Sequence, residues 1–420
     1  MHSRLPPLAG AVLCLAGCAT ATDASPPAGP VTVAAATSST VITSTSGATT
    51  STSATTASAI ATSTTAAATT VAPPVTPAPT AGDGALTLAF TGDALWHSPL
   101  WRQAERNFAG NGSDAAGMDF TPMLARLQPV VANADVGVCH LETPIAPDSQ
   151  FTTFPLYGVP PDVVTAIANA GFDRCSTASN HTVDRGTAGI DRTVAVLEAH
   201  GLGQSGMART PAEIAPQVFV ADGFRVAHLS YTFGYNGLRL PPGEEWRSAL
   251  IDPQRIIADA TEARRLGAEV VIVSMHWGIE GRRDVTPEQR AVAEQVTASG
   301  TVDLIVGHHA HVLQPIEQIN GVWVIFGLGN MISNLPTGPR WPAACQDGAV
   351  AVVTITKAPD GTAVVAAPVV HPTWVDRLNG WSVHLVQQTL ADPALPEGLR
   401  AQLDTSLRRT SEVLGVFIAA

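Results

Sequence analysis

Three observations predict an α/β fold for this 420-residue chain. Apolar runs rich in Val, Ile and Leu recur, and each gives way to a polar turn and then to a helical pattern. The turns gather carboxylate, amide and imidazole side chains, with no Lys or Arg among them. Such alternation means βα units around a largely buried sheet, with ligands held at the carboxyl ends of its strands.

Taken in order, residues 86–90 read as a strand that runs into Thr91-Gly-Asp93, and 134–139 as a strand that ends in His140-Leu-Glu142. Residues 173–176 lead to Ser179-Asn-His181, 226–230 to an aromatic turn, and 270–274 to Met275-His-Trp-Gly278. The run 302–307 opens directly onto His308-His-Ala-His311. Between these, residues 120–133, 160–171, 187–201, 253–267 and 285–299 carry amphipathic helical periodicity. Runs at 322–326, 349–356 and 363–370 lack intervening helices, so the second half is more antiparallel, and 384–418 reads as helix. The sum is a sheet-rich α/β sandwich.

The histidine-rich stretch carries the most chemistry. A strand that ends in closely spaced imidazoles aims them at one point, and imidazole is a common ligand for borderline metal ions. With Asp93, Glu142, Asn180 and His276 at the preceding strand ends, the set is what a two-metal centre needs. His308 is expected to face away, because adjacent residues leaving a strand point to opposite sides. Asn330, after Gly327-Leu-Gly329, is a candidate for orienting a ligand, and Cys139 and Cys175 read as buried thiols.

The chain outside this region has a different character. Residues 1–17 have signal-peptide architecture, and Leu15-Ala-Gly-Cys18 resembles a bacterial lipobox. That implies cleavage before Cys18, lipid on its thiol and an extracytoplasmic protein anchored to the bacterial cell membrane; an ordinary secretory signal with a chance Cys is the alternative. Residues 24–82 contain no Lys, Arg, Asp or Glu. A segment so poor in large apolar groups cannot offset its ordering entropy, so 18–84 is expected to be a disordered tether, spanning roughly 45 Å as a coil. The net charge of −12 argues against non-specific nucleic-acid binding. An anionic substrate would then have to find its positive charge locally, from metal.

The segments Phe90-Thr-Gly-Asp93, Cys139-His-Leu-Glu-Thr-Pro144, Ser179-Asn-His-Thr-Val-Asp184, Ser274-Met-His-Trp-Gly278 and Val306-Gly-His-His-Ala-His311, followed by Phe326-Gly-Leu-Gly-Asn330, resemble the CapA family of capsule or poly-γ-glutamate synthesis proteins over roughly residues 86–335. That family is in turn similar to calcineurin-like metallophosphoesterases. The resemblance implies a four-layer α/β/β/α sandwich over 85–380, with 381–420 a C-terminal helical segment.

By the same resemblance, Asp93 and His311 hold a first divalent ion, Asn180, His276 and His309 a second, and Glu142 bridges them. His181 is implied as the proton donor, with Asp184 fixing its tautomer. Two positions depart from the metallophosphoesterase pattern. Leu95 stands where a ligand histidine is usual, so His97 takes its place if the loop turns back, and Glu142 replaces an Asp. These departures leave a mononuclear centre open.

The implied chemistry is hydrolysis by a hydroxide bridging two ions (Mn, Fe or Zn), on a phosphoester or a γ-glutamyl amide. Glu142 between two cations is expected to be held ionised. The implied partners are an anionic polymer or phosphoester substrate, the membrane through the lipid anchor, and capsule-synthesis membrane proteins. The alternative is a non-catalytic accessory factor that binds an anionic polymer during assembly or export.

Overall fold

The computed structural model describes residues 84–110 and 117–419. The expected leader, Cys18 and the tether up to residue 83 lie outside the described residues. Among the described residues fifteen strands follow one another: Leu86–Ala94 (β1), Val136–Leu141 (β2), Arg174–Ser176 (β3), Gly203–Ser205 (β4), Val218–Ala221 (β5), Phe224–Thr232 (β6), Val270–His276 (β7), Leu304–His308 (β8), Ile316–Ile319 (β9), Val322–Ile325 (β10), Asn330–Ile332 (β11), Asp347–Lys357 (β12), Ala363–Val365 (β13), Val369–Asp376 (β14) and Ser382–Leu385 (β15).

They form two sheets. The first has nine strands along the order β15-β14-β12-β1-β2-β3-β4, with β11 pairing β1 and β13 pairing β12. The second has six, in the order β5-β6-β7-β8-β10-β9. β1 to β4 pair parallel, as do β6, β7 and β8, and helices provide the crossovers. The later strands β12, β14 and β15 are antiparallel, as the loss of helical pattern predicts.

Side-chain packing divides the molecule into four layers, α/β/β/α. One core lies between the sheets and joins Leu88, Phe90 and Val138 of the first to Val226, Ile272 and Val306 of the second. A second core packs Ala89, Cys139 and Cys175 under helices Ser98–Gly110 and Asp162–Asn169. A third packs Val271, Val273 and Ile305 under helices Pro253–Arg265 and Pro287–Ala298. With both faces of each sheet covered, central strands read as continuous apolar runs, and all nine residues of β1 are buried. Helix Glu397–Leu414 joins the sandwich through Leu403 against Trp374, and its Arg409 lies 2.6 Å from Asp347 of β12.

Four details differ from the sequence expectation, the first being that the expected C-terminal helical segment opens on strand β15, which pairs β14, and only then becomes helical. Residues 120–133 form two single-turn helices, Thr121–Leu124 and Gln128–Val131, joined by a 3₁₀ turn. Pro129 lacks the N–H that would continue one helix past Ala125. The run 363–370 breaks into β13 and β14, where Pro368 cannot donate to the ladder. Cys139 and Cys175 are not free thiols but a disulfide. They are register partners on the parallel neighbours β2 and β3, with Cα atoms 4.4 Å apart.

Candidate metal centre

The strand alternation that builds the inter-sheet core also builds the site. Val136 and Val138 of β2 face the opposite sheet, so His140 and then Glu142 continue the same stripe. Val270 and Ile272 of β7 do likewise, which places Ser274 and His276 on that face. Leu304 and Val306 of β8 place His308 there. At the carboxyl end of both sheets the apolar seam thus turns into a buried cluster of polar groups. Asp93, His140 and Glu142 come from one sheet, His276 and His308 from the other.

Glycines at this end let the segment between β10 and β11 pass close against β8 and β1. A methyl on Gly307 would sit 1.9 Å from the Phe326 carbonyl oxygen, and one on Gly92 would sit 2.1 Å from that of Gly329. Beyond Gly307 the chain turns through His309 and His311 with φ of 87° and 56°, a left-handed conformation rare for residues with a Cβ. Such backbone costs free energy and is found where surrounding structure enforces a functional arrangement. Here it brings His309 and His311 in beside Asp93. The backbone N–H of His309 donates to both Asp93 oxygens, at 3.2 and 3.1 Å.

His308 does not face away, contrary to the sequence expectation. It is still the last residue of β8 and keeps the inward phase of Leu304 and Val306. Its ring stacks on His140 at 4.0 Å between centroids, and its Nδ1 is 3.5 Å from Asp93. His311 Nδ1 is 2.9 Å from Asp93 Oδ2, and its Nε2 is 3.7 Å from Glu142. Asn330 steadies this ring: its Oδ1 lies 3.1 Å from His311 Nδ1, while its Nδ2 donates to the His311 and Cys345 carbonyls.

Two groups of side chains offer ligand atoms mutually within 4.8 Å: Asp93, His140 and His276, and Glu142, His309 and His311. Asn180 joins them, its Oδ1 3.0 Å from His276 Nε2, which also lies 3.8 Å from Glu142. His97 belongs to neither group. Its Nε2 bonds the Tyr157 hydroxyl at 2.8 Å, and its Nδ1 accepts the Asn334 N–H at 3.2 Å. Both ring nitrogens are therefore committed to protein.

His181 stands at the edge of the cluster, its Nδ1 bonded to Asp184 Oδ2 at 2.7 Å. The Tyr157 N–H donates to the same oxygen, and the Tyr157 ring meets His181 edge-on. A cavity of about 240 Å³ opens beside these groups, lined by His97, Tyr157, His181, Glu280, His311 and Trp341 among others.

The electrostatics follow from burial. Desolvation drives His140 and His276 well below the ordinary imidazole range, and takes His309 to about 3 with help from the His311 charge. Burial likewise lowers His97 to about 4. His311 goes the other way: burial lowers it, but Glu142 and Asp93 outweigh that and raise it to about 9. Burial also opposes ionisation of Asp93, yet the His308 and His311 imidazoles hold it well below the usual carboxylate range.

Glu142 is pushed well above its ordinary value by burial. The sequence expectation of an ionised Glu142 thus depends on cations that the protein side chains alone do not supply. The donor set fits such cations. Both Glu142 oxygens are buried without a hydrogen-bond partner, as are Nδ1 of His308 and of His309. Unpaired buried acceptors of this kind are costly unless something coordinates them.

A family model described as bacterial capsule synthesis protein PGA_cap matches residues 87–335, the stretch that carries every residue of this cluster. The chain belongs to the PGA_cap family. Among its relatives, the PGA biosynthesis protein CapA of Bacillus subtilis (strain 168) is 26% identical over 259 residues, 60% of this chain and 64% of that protein. The capsule biosynthesis protein CapA of Bacillus anthracis is 29% identical over 175 residues, 41% of this chain and 42% of that protein. The chain therefore spans less than two thirds of either relative. Among solved structures, it is similar to the calcineurin-like phosphoesterase YfkN from Bacillus subtilis, at 15% identity and a TM-score of 0.41, covering 78% of this chain and 98% of that one.

Two buried members of the cluster in this PGA_cap chain, His140 and His308, were not anticipated as site residues. The signal was available: each sits two residues beyond an inward-facing valine on its strand.

Proposed function

We propose that this PGA_cap chain is a metal-dependent hydrolase of the cell surface, held to the membrane by lipid on Cys18 and acting in capsule or poly-γ-glutamate metabolism. The observation that carries the reading is Glu142, a carboxylate with both oxygens buried and unpaired between His276 and His311. Asp93, Glu142, Asn180, His276, His309 and His311 are the residues that would hold divalent ions. When bound, such ions supply Lewis-acid polarisation of the substrate and a lowered pKa for water.

The chain's own residues supply the rest. Asp184 accepts from His181 Nδ1, which fixes the ring and leaves Nε2 without a partner among the described residues. In hydrolysis, water adds its oxygen to phosphorus or to carbonyl carbon, and the bond to the leaving oxygen or nitrogen breaks. A proton on His181 Nε2 passes to that leaving atom, and the proton the water gives up returns to His181, so the count closes. The second oxygen-bound partner of Asp184, the Tyr157 N–H, keeps the carboxylate from rotating away. The buried walls of Tyr157 and Leu95 restrict bulk water at the cavity.

Elemental analysis of the purified full-length chain tests the reading. Two ions per chain are expected, falling in Glu142→Ala. His181→Ala should keep its metal and lose about 10²–10⁴-fold in kcat on whichever class is cleaved, a phosphodiester or a γ-glutamyl amide. No metal after incubation with Mn, Fe and Zn salts would overturn the hydrolase reading in favour of a polymer-binding accessory protein.

A further inference from the structure

His140 is buried in the cluster, yet its two ring nitrogens already have partners. Nε2 lies 2.9 Å from His276 Nδ1, and Nδ1 lies 2.8 Å from the Ser176 hydroxyl. The Ser176 hydroxyl in turn lies 3.4 Å from the Cys139 carbonyl. At the other end, His276 Nε2 faces Asn180 Oδ1 at 3.0 Å. These contacts form one unbranched chain: Asn180, His276, His140, Ser176, Cys139 carbonyl.

The two inner links, His276–His140 and His140–Ser176, can run in either direction, while the terminal Asn180 and Cys139 oxygens only accept; proton counting then gives two self-consistent states. Without an ion, His276 Nε2–H donates to Asn180, His140 Nε2–H to His276 Nδ1, and Ser176 O–H to His140 Nδ1. With an ion on His276 Nε2, that nitrogen must present its lone pair. Its proton then sits on Nδ1 and donates to His140 Nε2, His140 Nδ1–H donates to Ser176, and Ser176 O–H donates to the Cys139 carbonyl. Each ring carries one proton in both states, so no proton leaves the chain.

We propose that His140 is a positioning residue rather than a metal ligand, and that with Ser176 it forms a relay which switches His276 into its metal-binding tautomer. The proposal rests on the metal reading above. The relay is held in place by its surroundings. His140 and Ser176 are register partners on β2 and β3, one residue after the Cys139–Cys175 cross-link. His308 stacks on the His140 ring with an interplanar angle of 10°. A ligand-orienting partner of this kind typically contributes about 10–100-fold in metal affinity.

The test is a Co²⁺ titration of the full-length chain, followed by visible absorption, with the wild type and three variants. His140→Phe keeps a flat ring against His308 but removes the nitrogens. It should weaken one of the two equivalents by about 10–100-fold, with the absorption bands of the saturated protein unchanged. Ser176→Ala, which touches no ion, should weaken the same equivalent by a smaller factor. His140→Gln should regain most of the loss, because its amide oxygen accepts from His276 Nδ1–H.

Unchanged affinity in His140→Phe and Ser176→Ala would overturn the relay and leave the metal reading intact. Altered bands in saturated His140→Phe would also overturn it, since His140 would then be a ligand. A wild type that takes up no Co²⁺ would overturn both.

Discussion

His311 faces two carboxylates at once, with Nδ1 2.9 Å from Asp93 and Nε2 3.7 Å from Glu142. In the metal-free chain it therefore holds its proton far above the usual range, from 6.5 to about 9. The sign follows directly. A histidine whose folded pKa is raised contributes stability that is fully present below about pH 6.5 and is lost as pH rises through about 9. An ion that takes His311 Nε2 must displace that proton. Burial also keeps the Glu142 carboxyl inclined to protonation, so both groups release protons on loading. Metal affinity is thus expected to climb between pH 6.5 and 9, up to roughly tenfold per pH unit for each proton displaced. Calorimetry in two buffers of different ionisation enthalpy would count those protons, and His311→Gln should flatten the profile. An affinity that is level across this window would mean that His311 is not a ligand.

Among the elements, β2 and β3 matter most, since their ends carry His140, Glu142, Ser176 and the turn to Asn180 and His181. β3 is only three residues long, and the Cys139–Cys175 bond ties it to β2. The bond closes a loop with a sequence separation of 36 residues, so opening it is expected to cost about 2–4 kcal/mol of stability. Urea denaturation of Cys139→Ser/Cys175→Ser against the wild type would read this, and equal midpoints would mean that the short strand needs no clamp. The pair also marks the limit of legibility at this scale. Strand ends are readable because apolar runs stop at polar turns, and that reading picks out Asp93, Glu142, Asn180, His276, His309 and His311, which the fold brings into one cluster. Register was not readable, because nothing in one strand's sequence says which residue of a neighbour it meets. The disulfide, the inward turn of His308 and the contact between His140 and His276 are all consequences of register or of left-handed backbone. The commitment of His97 to Tyr157 depends on a loop path that periodicity does not describe.

At the scale of the whole molecule, the cluster sits across the seam between the two sheets. Asp93, Glu142 and Asn180 are carried by one sheet, and His276, His309 and His311 by the other. Most of the rest of that seam is apolar, from Leu86 and Leu88 to Val270 and Leu304, and closes chiefly by burial, with the Arg174–His228–Ser274 hydrogen bonds crossing it. The polar end closes differently. It buries two carboxyl groups and several desolvated imidazoles together, where Asp93 and His311 hold their charges against each other while burial disfavours charge on Glu142, His140, His276 and His309. Cations would turn that end from a liability into a staple between the sheets. An ion present at 100 times its Kd adds about 2.7 kcal/mol to the folded state. For a domain this large, that is on the order of 5 °C in Tm. Calorimetric melting of the full-length chain, loaded and then stripped with a chelator, should show a fall of this size. Re-addition of the ion should restore it, and Glu142→Ala should melt alike in both conditions. If stripping removes the ions without moving Tm, the sheets do not depend on them, and the ions serve the cavity chemistry alone.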